Sequence, residues 1–183
     1  MDVFVYGTLT NPETVRTIVD SLVFVGPAVL EGLRVLDGEY PTLAPPDGDG
    51  DERGNMAGPT VAGRLLRTDE VDALDAYEGV ETGLYVRVTV PVVDEGSVGT
   101  RRRPTDDTNE VGGRSTAGRS GDAVNDGSGT SREASPIEEA AVYVGDPGRL
   151  GASADWPGEG AFRDRVRTAL AEHSVRIRTL PSG

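Results

Sequence analysis

Glu78 is the ionisable side chain whose place in the sequence best suits acid–base chemistry. It falls in the last turn of a predicted helix that ends near Gly79, on the same side as Val71 and Leu74. A carboxylate at a helix C-terminus and beside apolar side chains has a raised pKa, because both the helix dipole and desolvation disfavour its charge. Such a group can act as a general base near neutral pH. Spacing alone also allows an exposed glutamate at a helix end.

The tetrapeptide Tyr6-Gly7-Thr8-Leu9 is the second candidate, a turn that leads from a strand toward a helix. Glycine in this turn allows a ligand to approach the backbone closely. Successive backbone N–H groups at such a turn can bind an anionic or a carbonyl oxygen. A tight turn with no binding role is the alternative interpretation of these four residues.

Composition excludes many other kinds of site. The 183 residues include no Cys, no Lys and a single His, His173. A thiol nucleophile, a disulfide, a Cys/His zinc site, iron–sulfur ligation and a Lys-dependent phosphate loop are therefore excluded. No Gly-x-Ser-x-Gly motif is present to pair with His173 in a serine hydrolase site. Acid–base chemistry is left to carboxylates and tyrosines, and we expect neither a metal nor a cofactor.

The charge balance bears on partners and location. The chain has 31 acidic and 18 basic side chains, and its net charge is −13. This charge repels nucleic acid phosphates and anionic membrane surfaces, so neither is an expected partner. Arg as the sole strongly basic residue suggests adaptation to high salt, and an ordinary acidic cytosolic protein is the alternative. With no apolar stretch of about 20 residues and no basic region before the first apolar run, we expect a cytoplasmic protein without membrane helix or signal peptide.

Composition also divides the chain into two kinds of segment. Residues 95–136 are rich in Gly, Ser, Thr, Asp and Arg and contain no aromatic residue, Leu or Ile. Such a segment buries too little apolar surface to offset its conformational entropy, which predicts a disordered insertion. We therefore expect a single domain formed by residues 1–94 and 137–183. The acidic loop 47–51 resembles the start of a calcium loop, but Glu52 stands where that loop needs Gly, so we expect no calcium site.

Hydrophobic periodicity predicts an α/β (α+β) domain with a mixed sheet or a small barrel. The first helix has Asn11 as its cap and Pro12 at its first position, and its apolar face continues to Leu22. A second helix begins near residue 68 or 69, and a third covers 163–172. The predicted strands are 3–6, 23–30, 33–36, 61–67, 84–93, 140–144 and 175–180.

Four motifs occur along the chain in a characteristic order. They are Val5-Tyr6-Gly7-Thr8-Leu9, Val61-Ala62-Gly63-Arg64-Leu65-Leu66, Leu74-Asp75-x-x-Glu78-Gly79 and Tyr85-x-Arg87. None of them is specific by itself, but in this order and spacing they resemble the gamma-glutamylcyclotransferase-like (AIG2-like) family. The resemblance covers about residues 2–94, with Val142-Tyr143-Val144 as a later strand. It implies a small mixed β-barrel flanked by short helices.

The resemblance also implies roles for particular residues. Glu78 would be the catalytic acid–base residue. The substrate-binding residues would be Tyr6, Gly7, Thr8, Leu9, Tyr40 and Tyr85. Backbone groups of the loop at 6–9 would hold a gamma-glutamyl moiety, Tyr85 would line the pocket, and Tyr40 with Pro41 would border it. The chain departs from the family pattern in its long insertion before Val142, which affects the expected shape of the pocket mouth.

The implied function is release of 5-oxoproline from a small gamma-glutamyl compound. The substrate's α-amine would attack its own γ-carbonyl, close a lactam and expel an amine or an amino acid, while Glu78 moves the proton. Holding both reacting groups in one molecule can replace about 7–11 kcal/mol of barrier, and the reaction needs no metal, thiol or cofactor. Two alternatives stay open: a non-catalytic binding or regulatory module on the same fold, and an enzyme that acts on gamma-glutamylamines.

Overall fold

The computed structural model describes residues 1–46, 58–94 and 137–181. The acidic loop at 47–51 and the insertion at 95–136 lie outside the described residues, so the division into one domain and one insertion stays a prediction. None of the helices in the described part of the chain is long and apolar enough to span a membrane.

Eight strands and three α-helices make up the described fold. The strands are β1 (Asp2–Val5), β2 (Val23–Glu31), β3 (Arg34–Leu36), β4 (Thr42–Ala44), β5 (Thr60–Arg67), β6 (Tyr85–Asp94), β7 (Glu139–Gly145) and β8 (Arg176–Thr179). The helices are α1 (Pro12–Arg16), α2 (Val71–Glu78) and α3 (Phe162–Glu172), and a 3₁₀ helix over Gly7–Thr10, here called the 3₁₀ turn, follows β1.

Six of the strands close into a barrel in the order β1, β5, β2, β8, β6, β7. The β1/β7 and β6/β8 pairs are parallel, and the other neighbours are antiparallel. The remaining two strands, β3 and β4, form a separate two-stranded sheet. The predicted class, a small mixed barrel with short helices, is confirmed.

Alternation along the strands creates two apolar layers. Val86, Val88 and Val90 belong to one buried cluster that includes residues from all six barrel strands, and this cluster fills the interior. Some of the intervening side chains pack against the helices on the outside of the barrel, where Val5 of β1 shares a second cluster with Leu74 of α2. This second layer holds α2 against the outside of the barrel, which is the arrangement that positions the site.

The sequence predicted seven strands and the third helix to within one residue at each end. It missed β4, because three residues are too short to show a periodicity. Thr42 in β4 is buried, and its hydroxyl both donates to the carbonyl of Gly145 and accepts from the N–H of Gly145, each at 2.8 Å. These bonds attach the small sheet to the end of β7.

Two helix boundaries differ from the prediction. Helix α1 ends at Arg16 instead of continuing to Leu22, because the β-branched residues that follow are weak helix formers and the Thr17 hydroxyl bonds back to a carbonyl three residues earlier. Helix α2 begins at Val71, not at 68 or 69. The Thr68 hydroxyl donates to the carbonyl of Ser21 at 2.7 Å and accepts from the N–H of Glu70 at 3.1 Å, so Thr68 forms a turn that links the preceding loop to the start of the helix.

Candidate active site

A cavity of about 280 Å³ opens at the end of β1, between the 3₁₀ turn and the end of α2. All seven residues proposed from the sequence line it, namely Tyr6, Gly7, Thr8, Leu9, Tyr40, Glu78 and Tyr85. The other lining residues are Phe4, Val5, Pro41, Tyr77, Leu84 and Tyr143. The structure therefore brings the glycine turn and the glutamate to one cavity. The chemical roles of these residues stay predictions.

Glu78 is the last residue of α2. The helix ends there because Gly79 adopts a left-handed conformation, with φ of +69°, and its N–H returns to carbonyls of the last turn. Leu74, one turn earlier, is fully buried, so this face of the helix is directed at the barrel. Burial of the carboxyl group raises the pKa of Glu78 to about 7. A carboxyl with this pKa can accept a proton and return it near neutral pH.

The 3₁₀ turn starts at Gly7, whose φ is +59°. This left-handed conformation favours glycine, whereas space does not require it, because an added Cβ would meet only Pro41 at 3.5 Å. The first three N–H groups of a 3₁₀ helix have no acceptor within the helix. The turn can therefore offer backbone donors to an oxygen atom in the cavity. Asn11 accepts a hydrogen bond from the N–H of Glu13 at 2.9 Å and caps α1 as predicted.

Two tyrosines, Tyr6 and Tyr85, tie the wall of the cavity together. The Tyr6 hydroxyl donates to the carbonyl of Tyr143 at 2.9 Å, and the Tyr85 hydroxyl donates to the carbonyl of Pro41 at 3.2 Å. Burial raises the pKa of both hydroxyl groups, and the negative charge of Glu78 raises both further. Both tyrosines therefore remain neutral hydrogen-bond donors over the physiological range of pH.

All five tyrosines of the chain line the cavity, although they are far apart in the sequence. Tyr40 and Tyr77 are about half exposed, at 55% and 53%. Sequence reasoning missed Tyr77 and Tyr143 as lining residues. Tyr77 directly precedes Glu78 in a motif of the sequence, so it could have been found from that neighbour. Tyr143 carries no such local signal, because only the β6/β7 pairing brings it to the site.

Asp75 and Arg87 also form part of the surroundings of the cavity. The guanidinium Nη1 of Arg87 contacts Asp75 Oδ2 at 2.7 Å, and the Tyr143 hydroxyl donates to Asp75 Oδ1 at 2.8 Å. Both charged residues occur in the motifs that carry the family resemblance. In the described part of the chain, no group of three or more acidic or histidine side chains is arranged to hold a metal ion.

Comparison with known proteins adds to this geometry. The family model for "Gamma-glutamyl cyclotransferase, AIG2-like" matches residues 3–102, which is more than half of the chain. The chain belongs to this family. The match includes the 3₁₀ turn, α2 and Glu78, and so covers the elements on both sides of the cavity.

Among curated relatives, this AIG2-like chain is 34% identical over 97 residues to AIG2-like protein A of Arabidopsis thaliana, which corresponds to 51% of the chain and 53% of that protein. It is 36% identical over 95 residues to AIG2-like protein C of the same plant, or 50% of the chain and 49% of that protein. The chain thus matches only about half the length of these relatives.

Solved structures similar to this AIG2-like chain include one described as a gamma-glutamyl cyclotransferase. That structure is 12% identical, with a TM-score of 0.45, and the match covers 93% of this chain and 98% of the other. A solution structure of an Arabidopsis thaliana protein is 22% identical, with a TM-score of 0.40, and the match covers 93% of this chain and 83% of the other.

Proposed function

We propose that this AIG2-like protein releases 5-oxoproline from a gamma-glutamyl compound, with Glu78 as the acid–base residue. The observation that carries the proposal is a half-buried carboxyl group, with a pKa of about 7, on the same cavity as the glycine turn. Membership of the family supports the reaction type. A non-catalytic module would have no need of a desolvated carboxyl group there, since desolvation of a charge costs free energy.

The reaction is an exchange of one amide bond for another. The α-nitrogen of the substrate forms a bond to the γ-carbonyl carbon, the bond from that carbon to the departing nitrogen breaks, and a five-membered lactam results. Two protons leave the α-ammonium group in total, and both end on the departing nitrogen. The Glu78 carboxylate carries each proton across and is regenerated in its starting form.

The protein has little else to supply, because nucleophile and electrophile belong to one molecule. The fold must hold the substrate in a bent conformation, and this alone can replace about 7–11 kcal/mol of the barrier. In this proposal, backbone N–H groups of the 3₁₀ turn stabilise the oxyanion that develops on the γ-carbonyl oxygen. The neutral hydroxyl groups of Tyr6 and Tyr85 each already donate to a backbone carbonyl. Their role in this proposal is therefore to fix the wall of the cavity.

Replacement of the carboxyl group tests the proposal. We expect Glu78→Gln to lower 5-oxoproline release by about 10² to 10⁴-fold, the usual contribution of a general acid–base group. The measurement is chromatographic detection of 5-oxoproline from a panel of gamma-glutamyl compounds. The matched control is Glu81→Gln, which removes an exposed carboxyl group three residues further on. Equal turnover by Glu78→Gln and the parent protein, with unchanged circular dichroism, contradicts the assignment.

A second candidate is an enzyme specific for gamma-glutamylamines. The observation that favours it is that no cationic side chain occurs among the lining residues that the structure describes. A leaving group with its own carboxylate would gain no ion pair there, whereas a simple amine needs none. Gamma-glutamylalanine and gamma-glutamylethylamide differ only in that carboxylate, so their relative kcat/KM separates the two substrate classes.

A further inference from the structure

Asp75 has both carboxylate oxygens occupied by donors from two different strands. Arg87 of β6 donates to Oδ2 at 2.7 Å, and Tyr143 of β7 donates to Oδ1 at 2.8 Å. Arg87 and Tyr143 are directly opposite each other in the antiparallel β6/β7 ladder. The carboxylate of Asp75 therefore spans one cross-strand pair, and it fixes α2 to the barrel at a defined height along both strands.

These contacts are partly shielded from solvent. The side chain of Asp75 is 19% exposed and that of Arg87 is 30% exposed, while Tyr143 is buried. Charged hydrogen bonds are stronger in such surroundings than at an open surface. Loss of one partner leaves the other groups with an unsatisfied hydrogen bond, which costs free energy. The arrangement restrains α2 more firmly than an exposed ion pair could.

The same three residues are connected to both walls of the cavity. Asp75 precedes Glu78 by three residues, so the two side chains lie on neighbouring positions of the same helix, one turn apart. On the other side, the carbonyl of Tyr143 accepts the hydroxyl of Tyr6, the residue that precedes the 3₁₀ turn. Two hydrogen bonds made by different atoms of Tyr143 thus connect the residue after β1, through β7, to the last turn of α2.

We propose that Asp75 is a positioning residue which, together with Arg87 and Tyr143, holds Glu78 at a fixed distance from the 3₁₀ turn. This inference rests on the proposed acid–base role of Glu78. Placement of a catalytic group to within a fraction of an ångström requires support from residues around it, and a displacement of about 1 Å can cost about 10²-fold in rate. Asp75 itself lies outside the group of residues that line the cavity and acts through α2.

The test compares Asp75→Asn and Tyr143→Phe with the parent protein. We expect each variant to lower kcat by about tenfold to a hundredfold while KM changes by less than about threefold. The reason is that each substitution displaces Glu78 but leaves the substrate contacts in place. Titration of the Glu78 carboxyl by carbon-13 NMR is the second measurement. Release of the helix end admits water, so the pKa should fall from about 7 toward the ordinary value for glutamate. Tyr143→Phe changes no charge, which separates this displacement from a simple field effect.

Glu31→Gln is the matched control. Glu31 on β2 also has both oxygens occupied, by the Nε atoms of Arg176 at 2.6 Å and Arg178 at 2.9 Å, but it does not line the cavity. We expect this variant to lower the melting temperature without changing kcat or the titration of Glu78. If Asp75→Asn and Tyr143→Phe behave like Glu31→Gln, the cluster is structural only and the inference is wrong. If Glu78→Gln retains activity, the proposed function fails, and the titration of Glu78 still decides whether the cluster positions it.

Discussion

At the scale of single residues, burial is what distinguishes Glu78 from the other described glutamates. Its carboxyl group has few solvent contacts, so the pKa rises to about 7. Glu31 shows the opposite case, because hydrogen bonds from Arg176 and Arg178 lower its pKa. One residue type thus has a raised pKa where burial dominates and a lowered pKa where arginines donate hydrogen bonds to it.

The raised pKa of Glu78 predicts a pH-dependent cost to stability. The folded protein retains the proton up to a pH of about 7, whereas the unfolded chain loses it near 4.5. The free energy of unfolding therefore falls as the pH rises between these values, by about 3 kcal/mol in total. We expect Glu78→Gln to match the parent protein near pH 4.5 and to exceed it in stability above pH 7, as measured by urea unfolding. An equal difference in stability at pH 4.5 and pH 8 contradicts this reasoning.

At the scale of elements, the site depends on two short segments, and each of them has a left-handed glycine at one of its ends. Helix α2 ends in a left-handed glycine immediately after Glu78, and the 3₁₀ turn begins with a left-handed glycine immediately after Tyr6. In both cases the change of backbone direction occurs at the edge of the cavity. The 3₁₀ turn is also held from its other end, because Asn11 joins it directly to α1.

Gly7→Ala tests the contribution of the turn. An alanine at φ of +59° costs about 1–2 kcal/mol of backbone strain, and relief of this strain would rotate the N–H groups of the turn. We expect lower stability by that amount and a fall in kcat/KM for 5-oxoproline release. The matched control is Gly151→Ala, at φ of +67° and away from the cavity, where an added Cβ has no neighbour within 4 Å. If both variants lose equal stability and equal activity, the turn has no special role in the reaction.

At the scale of the whole molecule, the barrel keeps its two apolar layers apart and leaves polar groups at the surface. Trp156 anchors the interior; it is 2% exposed and donates its Nε1–H to the carbonyl of Leu43 at 3.2 Å. The net charge of −13 acts on this structure as a general repulsion, since the charges are crowded together on folding. Salt reduces such repulsion, with a screening length that falls from about 10 Å at 0.1 M to about 3 Å at 1 M.

The charge predicts that salt stabilises the protein. We expect the melting temperature at neutral pH to rise between 0.1 M and 1 M NaCl, by about 2–4 °C for each kcal/mol of repulsion removed. Differential scanning calorimetry measures the effect. The control is the same comparison near pH 4.4, the isoelectric point of the sequence, where the repulsion vanishes and the shift should be much smaller. A melting temperature that is independent of salt at neutral pH argues against adaptation to high salt.

Local patterns in the sequence were sufficient for most of the fold. The segment 84–93 was predicted as a strand, and its alternating valines lie in the buried interior; Asn11 with Pro12 predicted the start of α1. The place of Glu78 at the end of its helix also followed from the sequence, because a left-handed Gly79 ends the helix through local geometry. Side-chain periodicity reports which face of an element is buried, and a capping residue reports where the element begins or ends.

Only the tertiary structure decided what those faces pack against. Tyr6 and Tyr143 are 137 residues apart in the chain, and the Asp75 carboxylate meets Tyr143 across 68 residues. No local pattern contains such contacts, since they depend on the register of β6 with β7 and on the parallel pairing of β7 with β1. The volume of the cavity, the convergence of five tyrosines on it and the size of the shift in the Glu78 pKa all follow from that closure of the barrel.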